Sequence, residues 1–141
     1  MGALVYVILA AAAVFVSFRA NIIVGIAVTA ALTAYVIYSK YPDIWAIKAR
    51  SAFAEGKFAE AKRRYKKAVD TGRAKPSTRI EYADALMRTG NFEDAEQALN
   101  NLLRYKLKPE IANTAKMRRC MAYFKQNNLE EAYNDAMEIY E

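Results

Sequence analysis

Gly56-Lys57-Phe58-Ala59-Glu60-Ala61 returns 34 residues later as Gly90-Asn91-Phe92-Glu93-Asp94-Ala95, and after a further 37 as Asn127-Asn128-Leu129-Glu130-Glu131-Ala132. Each copy opens on glycine or asparagine, with a large apolar residue two on, an acidic one four on and alanine five on. Glycine and asparagine enter the left-handed backbone region at little cost, so each can end a helix. Phe58, Phe92 and Leu129 are then expected to wedge into the corner. Ala61, Ala95 and Ala132 leave room for a second helix to lie close against the first.

The flanks carry helical spacing. Trp45, Ala49 and Ala52 precede the first corner and Ala83 and Leu86 the second; Tyr65 and Ala68, then Leu99 and Leu102, follow them. Breakers fall between the units, at Gly72 and Pro76 and again at Pro109. Thr78 with Glu81 reads as a capping box at the start of the second unit. The longer last interval places an extended turn near residues 106–110. A period near 34 residues marks helix–turn–helix units that bury their apolar faces by stacking.

The three copies resemble the tetratricopeptide repeat family, over roughly residues 42–141 in units of about 42–75, 76–109 and 110–141. The family's early tryptophan stands only in the first unit, as Trp45; Arg79 and Lys116 occupy its place in the others. The resemblance implies an α-α superhelix that binds a partner segment along the surface of its first helices. It assigns to that groove Arg50 and Phe53, then Ile80, Asp84, Met87 and Arg88, then Met117, Met121, Phe124 and Lys125. Methionine and phenylalanine among a few charges suit an apolar or amphipathic segment. At the positions of the family's two-carboxylate clamp stand Ala46, Arg50, Glu81, Thr114 and Arg118. Only Arg118 has the right chemistry, which argues against a chaperone-tail receptor.

The first 39 residues are of another kind, with Arg19 their only formal charge. Gly2–Phe18 and Ile22–Tyr38 are apolar runs of about 17 residues, roughly 25 Å each as helix and at the short end of a bilayer span. One continuous helix would bury Arg19 near the bilayer centre at a cost of several kcal/mol. Two transmembrane helices, about 2–18 and 22–38, with a turn at Arg19-Ala20-Asn21 avoid that cost. In such a hairpin Tyr6 shares an interface with Tyr35, Tyr38, Tyr41 and Trp45, while Phe15 and Phe18 sit at the other. Gly25, Thr29 and Thr33 offer a small-residue stripe for helix packing. The start lacks the basic residues of a signal peptide, and Tyr6 stands where a myristoylation motif needs Ser or Thr. Lys40, Lys48 and Arg50 after the second span place the repeats in the cytoplasm by the positive-inside rule.

Of the 141 residues none is histidine and one, Cys120, is cysteine. That excludes an internal disulfide and removes the commonest general base and metal ligand. No catalytic, metal or cofactor site is expected, and Cys120 is read as an inert core thiol. Residues 40–79 carry net +8 and residues 80–141 net −3. Lys62, Arg63, Arg64, Lys66 and Lys67 form a basic helix face, a solvated surface or a contact for anionic lipid. Nucleic acid is not expected, since no aromatic platform accompanies the charge. Tyr133, Met137, Ile139 and Tyr140 crowd the last helix and mark an end-on surface for self-association or a partner helix. The function expected is a membrane-tethered interaction scaffold. The alternative is a small structural subunit assembled through its hairpin.

Overall fold

The computed structural model describes residues 9–16, 18 and 21–140, apart from the side chain of Tyr140. Every element among them is α-helical. After a helical stretch at 9–16 come α1 (Ile22–Ala54), α2 (Phe58–Val69), α3 (Pro76–Arg88), α4 (Phe92–Leu103), α5 (Pro109–Lys125) and α6 (Leu129–Tyr140). The chain divides into two compact units, Met1–Tyr41 and Pro42–Glu141.

In the first unit α1 opens after Asn21, whose Oδ1 accepts the Ile23 N–H at 2.9 Å. This N-cap separates the two apolar runs. Arg19, Ala20 and Tyr6, to which the sequence assigns a turn and an interface, lie outside the described residues. Gly25 is buried beneath Phe18; a Cβ there would stand 2.6 Å from the ring, so only glycine permits the approach. Thr29 and Thr33 each donate to the carbonyl four residues back at 2.8 Å. Their hydroxyls are thus satisfied within the helix itself.

The sequence ends this helix at residue 38, but α1 continues to Ala54 and holds Pro42 in its interior. Proline lacks the N–H for one helical bond and is the usual mark of a helix start. Pro76 and Pro109 behave that way, each at the first position of its helix. Upstream of Pro76 lies Gly72 at φ 73°, which ends the preceding helix. Nothing in Ser39-Lys40-Tyr41 forces such a stop.

The second unit is built from helix pairs. Gly56, Gly90 and Asn127 have φ of 76°, 77° and 64°, and the same two bonds close each corner. Lys57 N–H reaches Ala52 O at 2.9 Å, Asn91 N–H reaches Leu86 O at 2.9 Å, and Asn128 N–H reaches Tyr123 O at 2.9 Å. Gly56, Gly90 and Asn127 donate to Phe53, Met87 and Phe124 at 3.0, 3.1 and 3.1 Å. This is the Schellman pattern, which satisfies carbonyls a helix end leaves orphaned. Ala61 and Ala95 are fully buried, and Ala132 nearly so. Phe58 meets Phe53 edge to face at 5.1 Å. Leu129, by contrast, is exposed and does not fill its corner.

Two clusters form the core. Ala49 and Ala52 of α1 meet Ala61 and Tyr65 of α2 and Ala85 of α3. Ile80, Ala83 and Leu86 of α3 meet Ala95, Leu99 and Leu102 of α4 and Ala115 of α5. Alanine at the crossings lets the backbones come close, and a few large side chains fill the remainder.

Two local expectations are corrected. Thr78 and Glu81 form no capping box: α3 starts at Pro76 with Lys75 as its N-cap, so both residues lie inside the helix. Thr78 is buried there, and Glu81 pairs across to α1. The extra residues of the last interval lengthen the helix rather than the turn. α5 has 17 residues against 13 in α3.

Candidate functional site

The helices that begin each pair (α1 from Pro42 onward, α3 and α5) line a hollow of about 500 Å³. Its walls are Phe53, Asp84, Met87, Arg88, Phe92, Arg118, Met121 and Lys125. A smaller hollow of about 280 Å³ adjoins it through Phe53 and Asp84, and adds Arg50, Ala54, Tyr65 and Glu81. The structure therefore gathers seven residues that the repeat positions assigned to a groove: Arg50, Phe53, Asp84, Met87, Arg88, Met121 and Lys125. It separates three others. Ile80 is buried in the core beside Ala83, and its side chain is spent on packing between helices. Met117 and Phe124 are exposed but outside both hollows.

Ala54, Phe92, Tyr65, Glu81 and Arg118 complete the walls. Phe92 was assigned to a corner, and a corner residue on the inner side of the turn reaches the groove as well. Arg118 stood only among the clamp positions, and Glu81 there and in the supposed capping box. Their value is electrostatic. Arg50 Nε donates to both Glu81 oxygens, at 3.0 and 2.9 Å. Arg118 Nε stands 2.8 Å from Asp84 Oδ1, a charge contact in which the N–H is poorly aligned with the oxygen. Both carboxylates thus face a guanidinium. Arg88 lies over the Phe58 ring at 5.9 Å, and Lys125 is exposed at the rim. The groove is an apolar floor of phenylalanine and methionine with a positive margin.

Burial raises the pKa of Asp84, and the Arg118 charge opposes this only in part. Burial and the Glu81 carboxylate likewise push the Tyr65 phenol up. A raised carboxylate pKa means the folded chain holds that proton more tightly than the unfolded chain. Its stabilisation is present below the unfolded pKa and lost as pH rises through the folded one. Asp84→Asn should therefore flatten the pH dependence of stability from the ordinary carboxylate range upward. Melting temperatures of variant and parent that run parallel from pH 4 to pH 7 would contradict this origin.

The five basic residues of α2 do not act as one face. Arg64 is held by Glu60 and by the Lys48 carbonyl, each at 2.7 Å. Lys67 lies over the Trp45 ring at 4.3 Å, with Lys48 at 5.3 Å. Lys62, Arg63 and Lys66 line a separate groove toward α4. On α6, Tyr133 and Met137 are exposed, whereas Ile139 is half-buried. The Tyr140 side chain lies outside the described residues. The Cys120 thiol donates to Ala132 O at 3.2 Å, and burial raises its pKa, so little thiolate forms.

Fold and groove together define an α-helical repeat protein. Residues 52–116 match the tetratricopeptide repeat family, and with the all-helical architecture the match supports that family. The matched stretch runs from the end of α1 through the first two corners into α5. Repeats of this family are in general protein–protein interaction modules. No curated protein matches the chain. One helix among the described residues, α1, is long and apolar enough to cross a membrane.

Proposed function

We propose that this chain is a membrane-tethered interaction scaffold, which holds a partner segment in the groove of its repeats. The observation that carries the reading is the hollow walled by Phe53, Met87, Phe92 and Met121 under Arg88 and Lys125. A segment with apolar anchors and an acidic residue fits it. The anchors displace water from the floor, and the acid meets cations that are not already held by Glu81 or Asp84. Catalysis is no part of the proposal.

The tether is the apolar part of α1 together with the run before it, crossing the bilayer as a hairpin. Ile22, Ile23, Ile26 and Tyr35 hold their side chains outward, as lipid contact requires. Lys40, Lys48 and Arg50 favour a cytoplasmic repeat domain. These same outward apolar residues support a second reading, in which the chain is a small structural subunit joined to a larger membrane protein through its hairpin.

Photo-crosslinking of the full chain in its native membrane distinguishes the two. A photoreactive residue at Met121 should give a discrete adduct, lost in Arg88→Glu/Lys125→Glu, while the same residue at Glu93 should give none. Adducts from Ile23 or Tyr35 alone would favour the subunit, and adducts from every position would defeat the groove. In the same membranes, with Cys120→Ser, a cysteine at Ser39 should react only from the cytoplasmic side and one at Asn21 only from the other. Reaction of both from one side would rule out the hairpin.

A further inference from the structure

We propose that the groove between α2 and α4, floored by α3, binds a phosphate-bearing anion. The groove encloses about 660 Å³ and shares no residue with the partner groove. Lys62, Arg63 and Lys66 descend from α2 and Arg79 rises from α3. On the α4 wall Gln97 and Asn101 offer amide donors.

What distinguishes these cations from the rest of the basic helix is the company they keep. Lys62 donates to the neutral Asn91 Oδ1 at 2.8 Å. Arg79 donates to the carbonyls of Gly72 and Ala74 at 3.0 and 3.3 Å and lies over the Tyr105 ring at 5.4 Å, which orders the guanidinium while pairing it with no carboxylate. Arg63 is exposed at the rim. Lys66 alone meets a carboxylate, Asp70 at 3.5 Å, in a solvent-exposed pair of small strength. Asp94 is the second acid in the walls, so four cations face two carboxylates. Arg64 and Lys67 are bound elsewhere and leave the groove to the other three.

Phosphate fits this arrangement better than a single carboxylate. Its oxygens accept in several directions, so one group can meet a guanidinium fork, two ammonium groups and an amide together. The groove's apolar floor, Val69 and Leu86 with the Tyr82 ring, gives the organic part of such a molecule a surface to lie on. The phosphate can come from a soluble compound or from a phospholipid headgroup. The chemistry at the groove is the same.

The test uses the full chain in neutral detergent micelles, titrated with inositol trisphosphate, and in nanodiscs with or without anionic phospholipid. Acylation of Lys62 and Lys66, read by mass spectrometry, reports occupancy. Saturable protection is expected in at least one arm. Protection by the soluble probe alone identifies a free ligand, and protection in anionic nanodiscs alone identifies the headgroup. In whichever arm protects, Arg63→Gln/Arg79→Gln should weaken it about tenfold or more. Arg64→Gln/Lys67→Gln removes the same charge and should change it less than about twofold. Arg63→Gln alone, at an exposed position that cannot disturb the fold, should weaken it in the same direction. No protection in either arm, equal weakening by both double variants, or equal protection by a glutamate-rich peptide would each overturn the proposal.

Discussion

Asp135→Ala should lower the unfolding free energy by about 3 kcal/mol, the lower end of the range for stripping one partner from a buried ion pair. Asp135 is 4% exposed, on a helix of otherwise ordinary acidic residues. Arg119 of α5 grips it with two N–H groups, Nε to Oδ2 at 2.7 Å and the second to Oδ1. A third Arg119 N–H reaches Asn100 Oδ1 on α4 at 2.7 Å, and the guanidinium lies over the Tyr123 ring at 5.8 Å. One side chain therefore ties three helices together. Removing the carboxylate leaves a half-buried guanidinium with only the Asn100 amide and the Tyr123 ring to answer it, and that residual penalty dominates the effect. Denaturant unfolding of the full chain, followed by circular dichroism, measures the loss. A cost below about 1 kcal/mol would reduce the bracket to a surface-type pair. Arg119→Met/Asp135→Leu, which removes both charges, should recover most of the stability.

Leu99→Ala should cost about 2–5 kcal/mol, through lost transfer energy and the cavity left behind. Leu99 is fully buried among Ala83, Leu86, Leu102 and Ala115, and three helices surround it. The alanines beside it cannot swing in to fill the space, so relaxation is small and the upper half of the range is expected. Met121→Ala is the comparison. It removes a side chain of similar size from the groove, where it is half exposed. Its effect on stability should stay within about 0.5 kcal/mol, the usual scale for surface positions. Equal costs at the two positions would mean that the groove floor belongs to the core.

The corners were the most readable part of the chain. Positive φ restricts residue choice so strongly that Gly56, Gly90 and Asn127 could be picked out without knowing what surrounds them. Pro76 and Pro109 were readable for a similar reason, since a fixed φ and a missing donor suit only a few places in a helix. Repeat position dictates side-chain direction far enough to bring Phe53, Asp84, Met87 and Met121 to one hollow. It failed at Ile80, because whether a side chain on that face points to solvent or into the next pair depends on how the pairs stack. Charge partners were not legible. The sequence offers Arg119 many carboxylates, and only the folding of α6 against α5 selects Asp135. The same holds for α2, whose five cations look alike in sequence and separate only when Trp45, the Lys48 carbonyl and Asn91 arrive beside them, the Glu60–Arg64 pair along the helix excepted.

The same two main-chain bonds close all three corners, with matching partners and nearly matching φ, while side-chain bonds such as those of Thr89 differ from corner to corner. A joint of that kind is indifferent to the side chains on either helix and asks only for a residue that accepts its backbone angle. In the backbone path they set, tetrapeptides such as Glu55–Phe58 and Thr89–Phe92 are therefore interchangeable. Helix faces on either side can drift in sequence, and a whole pair can be duplicated or deleted between corners, while the joint remains fit for use. Length and surface chemistry of such an array are free to vary separately from the means by which it turns.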